Sequence, residues 1–387
     1  MRASDRGAGL LTMLDWLTNK FRVGSNNPAD HIVSDACEIT SNRRVDFITT
    51  VTSSKEAALR SLLEKRSYRA PEVSVQLLSD CVIDTSSGLV VLKDGSLDAT
   101  CRNIASYYVD VTKAGLADSV RDAARFAVDE DLVHVFHRSC GAYGHFILDG
   151  LCAIAVLADI ISSRRLKVLV PAIFPEWVTD ILASIGFGQN SIVKVEGVSR
   201  CRSITTSTML MGGNCFLPNP KAIAKLRRLV GTSGARPHRR IYLTREGAYS
   251  PRFVTNESEV QNEFRRAGFE IISPASLSFR AQVELFAAAE VIAGNHGSAL
   301  VNMVFTPSRA RIIDLMPEDW VGYWGDSGTP ERWLFNLTAA CDHDYSLVLS
   351  PSHMIGDPRL PNGIATLPRI DTTTDLDAVR AALRSLA

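Results

Sequence analysis

The chain has 387 residues, 46% of them hydrophobic and 22% charged, an ordinary globular mixture long enough for two domains or one large α/β unit. Basic and acidic residues balance at 42 each, which removes the bulk charge that a nucleic-acid partner would need. Eight cysteines (37, 81, 101, 140, 152, 201, 215 and 341) are scattered without a C-x-x-C pair, so neither a disulfide framework nor a structural zinc site is expected, and a reducing compartment is.

In chain order, "MRASDRGAGLLTMLDWLTNKF" opens with an apolar run too short to span a bilayer, broken by Asp15 and without a small-residue cleavage site. Residues 8–21 read as one amphipathic helix lying on a domain or on a membrane surface. Residues 22–40 are turn-rich and expected to be irregular. Strand-like runs follow at 45–51, 73–84, 88–92 and 106–111. Helical spacing covers 113–128, and "LVHVFH" (132–137) reads as a buried strand. "YGHFILDGLCAIAVLADII" (143–161) reads as a long apolar helix, followed by the strand "LKVLVP" and the helix "PEWVTDILASIGF". Short strands and turns fill 192–216, and the stretch 210–238 is the expected domain boundary.

The second half is more regular. "RIYLTR" (240–245) reads as a strand, and "NESEVQNEFRRAG" (256–268) as a helix with Asn256 as N-cap, Glu259 completing a capping box and Gly268 past its end. "FEIIS" is a strand, "SFRAQVELFAAA" (278–289) a helix, "VIAG" a strand, "GSALVNMVF" a helix and "RIIDLM" (311–316) a strand. Such alternation predicts βαβ units on a parallel sheet, with ligands at the carboxyl ends of the strands. Arg245, His296 and the turn after Met316 all fall there.

Three groups of residues invite chemistry. Around Gly294-Asn295-His296-Gly297-Ser298 a strand meets a helix start; free amides, small residues and an imidazole there suit an anion, although a tight turn with a satisfied histidine has the same sequence. Arg245 and Arg252 follow a strand in the same sheet, and a guanidinium fork suits phosphate; the alternative is a solvated loop, since only nine of the 42 basic residues are lysine. His145 and Asp149, four apart, share one face of an apolar helix. They form either a proton-abstracting pair or a structural one. Two D-x-D strings, Asp129–Asp131 and Asp342–Asp344, read as solvated turns rather than cation sites. No G-x-G-x-x-G, Walker lysine, G-x-S-x-G or H-E-x-x-H pattern is present.

From Ile241 to Met316, "IYLTRE…R…NESEV…GFEIISPASLSFRAQVELFAAAEVIAGNHGSALVNMVF…ARIIDLM" resembles the signature region of glycosyltransferase family 61, and "YGHFILDGL" looks like that family's N-terminal motif of a histidine and an acidic residue four apart. Two departures are Gly141-Ala142-Tyr143, where the family often has asparagine, and Gly297-Ser298-Ala299, where "GAG" is frequent. The resemblance implies an α/β, GT-B-like architecture of two Rossmann-like domains with parallel sheets facing a cleft: an acceptor-side domain over 1–215, a nucleotide-sugar domain over 216–350, and a tail over 351–387 whose helix packs back on the N-terminal domain. It implies inverting transfer from a nucleotide-sugar, usually a UDP-sugar, to a hydroxyl of a glycan or lipid-linked glycan in capsule, exopolysaccharide or lipopolysaccharide synthesis. On this reading Asp149 or His145 takes the acceptor proton, with Asp149, oriented by His145, as the preferred base. Arg245, His296, Gly297, Ser298 and Ala299 hold the diphosphate, with Tyr242, Asn295, Arg252 and Asn302 in support. No cofactor or metal is expected, and the location is cytoplasmic, with peripheral association at the inner membrane face. The alternatives are a non-catalytic nucleotide-sugar or glycan-binding member of an assembly complex, and a nucleotide-sugar epimerase.

Overall fold

The computed structural model describes residues 31–50, 55–101, 110–211, 213–232, 234, 236–246, 252–321, 329–355 and 369–386. The helix expected over 8–21 lies outside these residues, as does most of the strand expected over 106–111. The described residues form two compact units: Ala70–Val230 with residues 31–37, and Glu38–Arg69 with the residues from Gly231 on. This differs from a cut at 215/216. The helix Pro220–Val230 goes with the earlier unit, because it packs its Ala222, Ile223 and Leu226 face against the apolar helix Cys152–Arg164.

In the unit around 70–230, a mixed sheet runs in the order His31–Ser34, Val73–Asp84, Val198–Ser207, Phe126–His134, Lys167–Pro171, Ile192–Val195, with Leu89–Val91 added to Val73–Asp84. The last four strands of that path are parallel and the others antiparallel. Two expectations fail here. Residues 31–34 and 37–40 are strands, not irregular. The helix of 113–128 stops at Asp122, and Phe126 begins a strand that carries the first D-x-D string. Pairing across the sheet takes over from local spacing: Glu130 meets Lys167 at 3.3 Å and Asp131 meets Arg202 at 3.2 Å, each on a neighbouring strand.

Within the apolar run Tyr143–Arg164 an 18-residue window has a mean hydropathy of 2.0 and is 72% buried; hydrophobic all round, the run is the core helix of this unit. It is not one α-helix. Phe146–Leu151 forms a π-helical turn between the α-helical segments Tyr143–His145 and Cys152–Arg164, a distortion that recurs at functional sites. Gly150 lets this turn approach the strand behind it, since a β-carbon there would fall 2.4 Å from the Phe136 ring.

The other unit holds a six-stranded, wholly parallel sheet in the order Glu270–Ile272, Arg239–Leu243, Ala289–Asn295, Arg311–Pro317, Asp344–Ser350, Val45–Ile48. This is the βαβ alternation of the second half, closed at one edge by a strand from near the N-terminus. Gly268 sits past the helix Glu257–Arg266 with a φ of 81°. Asn256, however, makes no side-chain cap; it bonds the backbone of Thr374 instead. The tail also packs within this unit rather than on the other. Ser352–Ile355, Arg369–Thr372 and Arg252–Val254 form a small sheet, and Leu376–Arg384 buries Ala378, Val379 and Ala382 in a cluster with Tyr242, Phe264 and Ile313. Asp342, in the second D-x-D string, occupies a left-handed turn and pairs with Arg43 at 2.8 Å.

Candidate active site

Each unit carries a histidine held by a buried aspartate. In the 70–230 unit the π turn places Asp149 with its carboxylate enclosed. Oδ2 lies 2.7 Å from His145 Nδ1 and 3.2 Å from His137 Nε2, and Oδ1 accepts from the backbone N–H of Cys215 at 2.8 Å. The Asn214 side chain donates to the Leu148 carbonyl and accepts from the Asn219 N–H, which seats residues 213–219 against the π turn. Asp149 and His137 are fully buried, while the His145 side chain is 23% exposed. Burial pushes the Asp149 carboxyl up, but the hydrogen bonds from His137 and His145 outweigh it and hold the group below the usual carboxylate range. Burial pulls His145 down; Cys215 and the hydrogen-bonded Asp149 carboxylate overcome it and hold the imidazole well above the ordinary histidine value. Burial raises the Cys215 thiol, and the neighbouring His145 opposes that rise.

In the other unit, His296 ends the strand Ala289–Asn295. Its Nδ1 bonds Asp314 Oδ2 at 2.8 Å, Tyr345 donates to the same oxygen at 2.7 Å, and the Trp333 indole N–H donates to His296 Nε2 at 2.9 Å. Both ring nitrogens are therefore occupied inside the protein, and the ring offers no donor to a phosphate. What His296 offers is its carbonyl, which accepts from Arg252 Nη1 at 2.8 Å. Arg252 also lies over the Trp320 ring, 5.1 Å from its centroid.

Arg245 and Arg252 converge on Gly297. A β-carbon at that position would lie 3.0 Å from Arg252 Nη2 and 3.2 Å from Arg245 Nη1, and the backbone there has a φ of 152°, open only to glycine. The two guanidiniums thus stand close together at one backbone position, with Glu257 acting on Arg245 and Asp314 on Arg252 as the nearby negative groups. Burial and the adjacent Arg245 push Arg252 down to about 9, and burial also lowers Arg245. Arg245 Nε has no hydrogen-bond partner among the described residues. Arg245, Arg252, Asn295 and His296 line one small pocket, beside which Ser298 and Ala299 are half-buried. The segment Ser298–Phe305 is a 3-10 helix rather than an α-helix.

Of the other residues singled out, Tyr242 and Asn295 stand one layer behind the arginines. Tyr242 donates to Glu257 at 3.1 Å and Asn295 donates to Tyr242 at 3.3 Å. Asn302 is elsewhere: wholly buried, it donates to Gln282 at 2.8 Å and fastens the 3-10 helix to its neighbour. Sequence reasoning missed His137, Cys215, Asp314, Trp333 and Glu257. Only His137 carried a signal, as the last residue of a buried strand-like run.

The parallel and mixed sheets make a mixed α/β protein consistent with a Rossmann-like fold, with two arginines converging at a strand end. The model of the family described as Glycosyltransferase 61 matches residues 143–313. That span begins two residues before His145 and runs past His296, so it takes in the titratable residues of both constellations apart from His137 and Asp314. The chain is thus similar to family 61 glycosyltransferases over somewhat less than half of its length, and the activity this similarity points to is glycosyl transfer. No curated protein matches the chain.

Proposed function

We propose that the protein is an inverting, GT-B glycosyltransferase that uses a nucleoside-diphosphate sugar, a UDP-sugar in the first instance, and a glycan or lipid-linked glycan hydroxyl as acceptor. The observation that carries this is the pair of buried guanidiniums at Gly297 inside a family 61 span. As the glycosidic bond breaks, charge grows on the β-phosphate, and Arg245 and Arg252 are fixed donors that stabilise it without reorganisation. The backbone at Gly297 to Ala299 brings amides and no bulk.

The acceptor proton goes to His145 through Nε2, since Nδ1 is engaged by Asp149 and every route to the Asp149 oxygens is blocked by a hydrogen bond. Asp149 orients the ring and stabilises the imidazolium that forms. The hydroxyl oxygen attacks the anomeric carbon opposite the leaving diphosphate, which inverts that centre. No step calls on a metal. The eight cysteines, seven of them buried, form no disulfide, which supports a cytoplasmic site of action, and polysaccharide assembly at the inner membrane face suits a lipid-linked acceptor.

The test is UDP binding by calorimetry. Arg252→Ala and Arg245→Ala should each weaken UDP by about ten- to a hundredfold, the loss of one or two charge-assisted hydrogen bonds. Asp149→Asn should bind UDP as the parent does. Unchanged affinity in both arginine variants rejects the donor site.

A further inference from the structure

His137 plays no part in the transfer just described, yet it completes a second arrangement around Asp149. His137 Nε2, His145 Nδ1 and Asp149 Oδ2 all lie within 4.8 Å of one another, and the two imidazole nitrogens close on the same carboxylate oxygen at 3.2 and 2.7 Å. In a tetrahedral zinc site, with metal–donor bonds of about 2.0–2.1 Å, neighbouring donors stand about 3.3 Å apart. The His137–Asp149 separation of 3.2 Å already matches that spacing, and the His145–Asp149 separation of 2.7 Å would have to open by about 0.6 Å. Two imidazoles and one carboxylate select zinc over magnesium, which prefers oxygen donors and retains its water.

The surroundings hold the donors where an ion needs them. The Cys215 N–H takes Asp149 Oδ1 at 2.8 Å, which sets the carboxylate plane and leaves Oδ2 to the shared point, as outer-shell partners do in zinc sites. The Cys140 thiol donates to the His145 carbonyl at 3.7 Å and so tethers that residue's backbone. His137 and Asp149 are sealed, while the part-exposed His145 provides the way in.

We propose that His137, His145 and Asp149 bind one Zn2+ through Nε2, Nδ1 and Oδ2, with a fourth position open to a small ligand. Each imidazole then coordinates through the nitrogen that now faces Asp149, and its hydrogen resides on the other nitrogen: Nδ1 of His137 and Nε2 of His145. A protonated Nε2 has no lone pair to take the acceptor's proton, so a bound ion and base catalysis exclude each other. That inhibitory consequence rests on the glycosyl-transfer reading; the binding itself does not.

The experiment uses the full, tag-free chain stripped with a chelator. Titration with Co2+ should give the intense visible absorption of a tetrahedral ion at one equivalent, and Zn2+ should abolish it while Mg2+ does not. By calorimetry, His145→Asn and Asp149→Asn should each weaken Zn2+ by about tenfold or more, whereas His238→Ala and His353→Ala, at exposed histidines, should change nothing. Absence of the tetrahedral spectrum in the parent chain overturns the site even if a variant fails to fold, and so does binding carried by His238 or His353. UDP affinity of the same metal-free protein reports separately on the donor site, so either reading can fail alone.

Discussion

The two histidine–aspartate pairs are built alike and end differently. In each, a buried carboxylate oxygen takes the histidine Nδ1, at 2.7 Å for His145 and 2.8 Å for His296. The difference lies on the far side of the ring. Trp333 caps His296 Nε2 and leaves that side chain fully buried, whereas the His145 side chain stays partly exposed. A closed dyad can only hold shape: His296 fixes the carbonyl that anchors Arg252. An open dyad can move a proton. The same two residue types thus form a scaffold in one unit and, on the function proposed, a base in the other, decided by what meets the second nitrogen.

The sharpest way to break this comparison is to remove the carboxylate from each pair. Asp149→Asn and His145→Ala should each lower kcat by roughly a hundred- to ten-thousandfold, the usual worth of a positioned acid–base group, with the donor's Kd unchanged; residual turnover above a tenth of the parent would return the pair to a structural role. Asp314→Asn should act on the fold instead. It disturbs a buried acceptor of the His296 and Tyr345 hydrogen bonds at a cost of about 1–3 kcal/mol, visible as a lower denaturant midpoint, while kcat per folded molecule stays close to the parent. An equal kcat collapse in both variants would erase the distinction between open and closed pairs.

The smallest effect is in the pH profile, and it sharpens the assignment. Since His145 is held above the usual histidine pKa of about 6.5 and a base must be neutral, kcat should rise with pH along a limb centred above that value. Removing the anion in Asp149→Asn lowers the imidazole's proton affinity, so the limb of the residual activity should move to lower pH. A limb that does not move between parent and variant assigns the titration to another group.

Much of this was open to reading in the linear chain. The alternation of strand and helix over 239–317 needs only local periodicity, and it reappears as the parallel sheet. The four-residue spacing of His145 and Asp149 survives even through a π turn, because both still face one side. The helix expected over 113–128 failed because a strand partner far along the chain outbids local propensity, and the tail was misassigned because its burial depends on a sheet it does not itself contain.

By itself the sequence determined which stretches alternate, where strands end, that Arg245 and Gly297 lie at strand ends where a ligand can arrive, and that His145 and Asp149 share one face of a helix. Tertiary structure alone decided which nitrogen of each histidine is free, and that Arg252 rather than the His296 ring stands with Arg245. The physical reason is range. Periodicity is written in neighbours a few positions apart, whereas the groups that close or open these rings come from 18, 31 and 37 residues away around His296 and Asp314 and from 12 and 66 residues away around Asp149. Only folding brings them within hydrogen-bond reach.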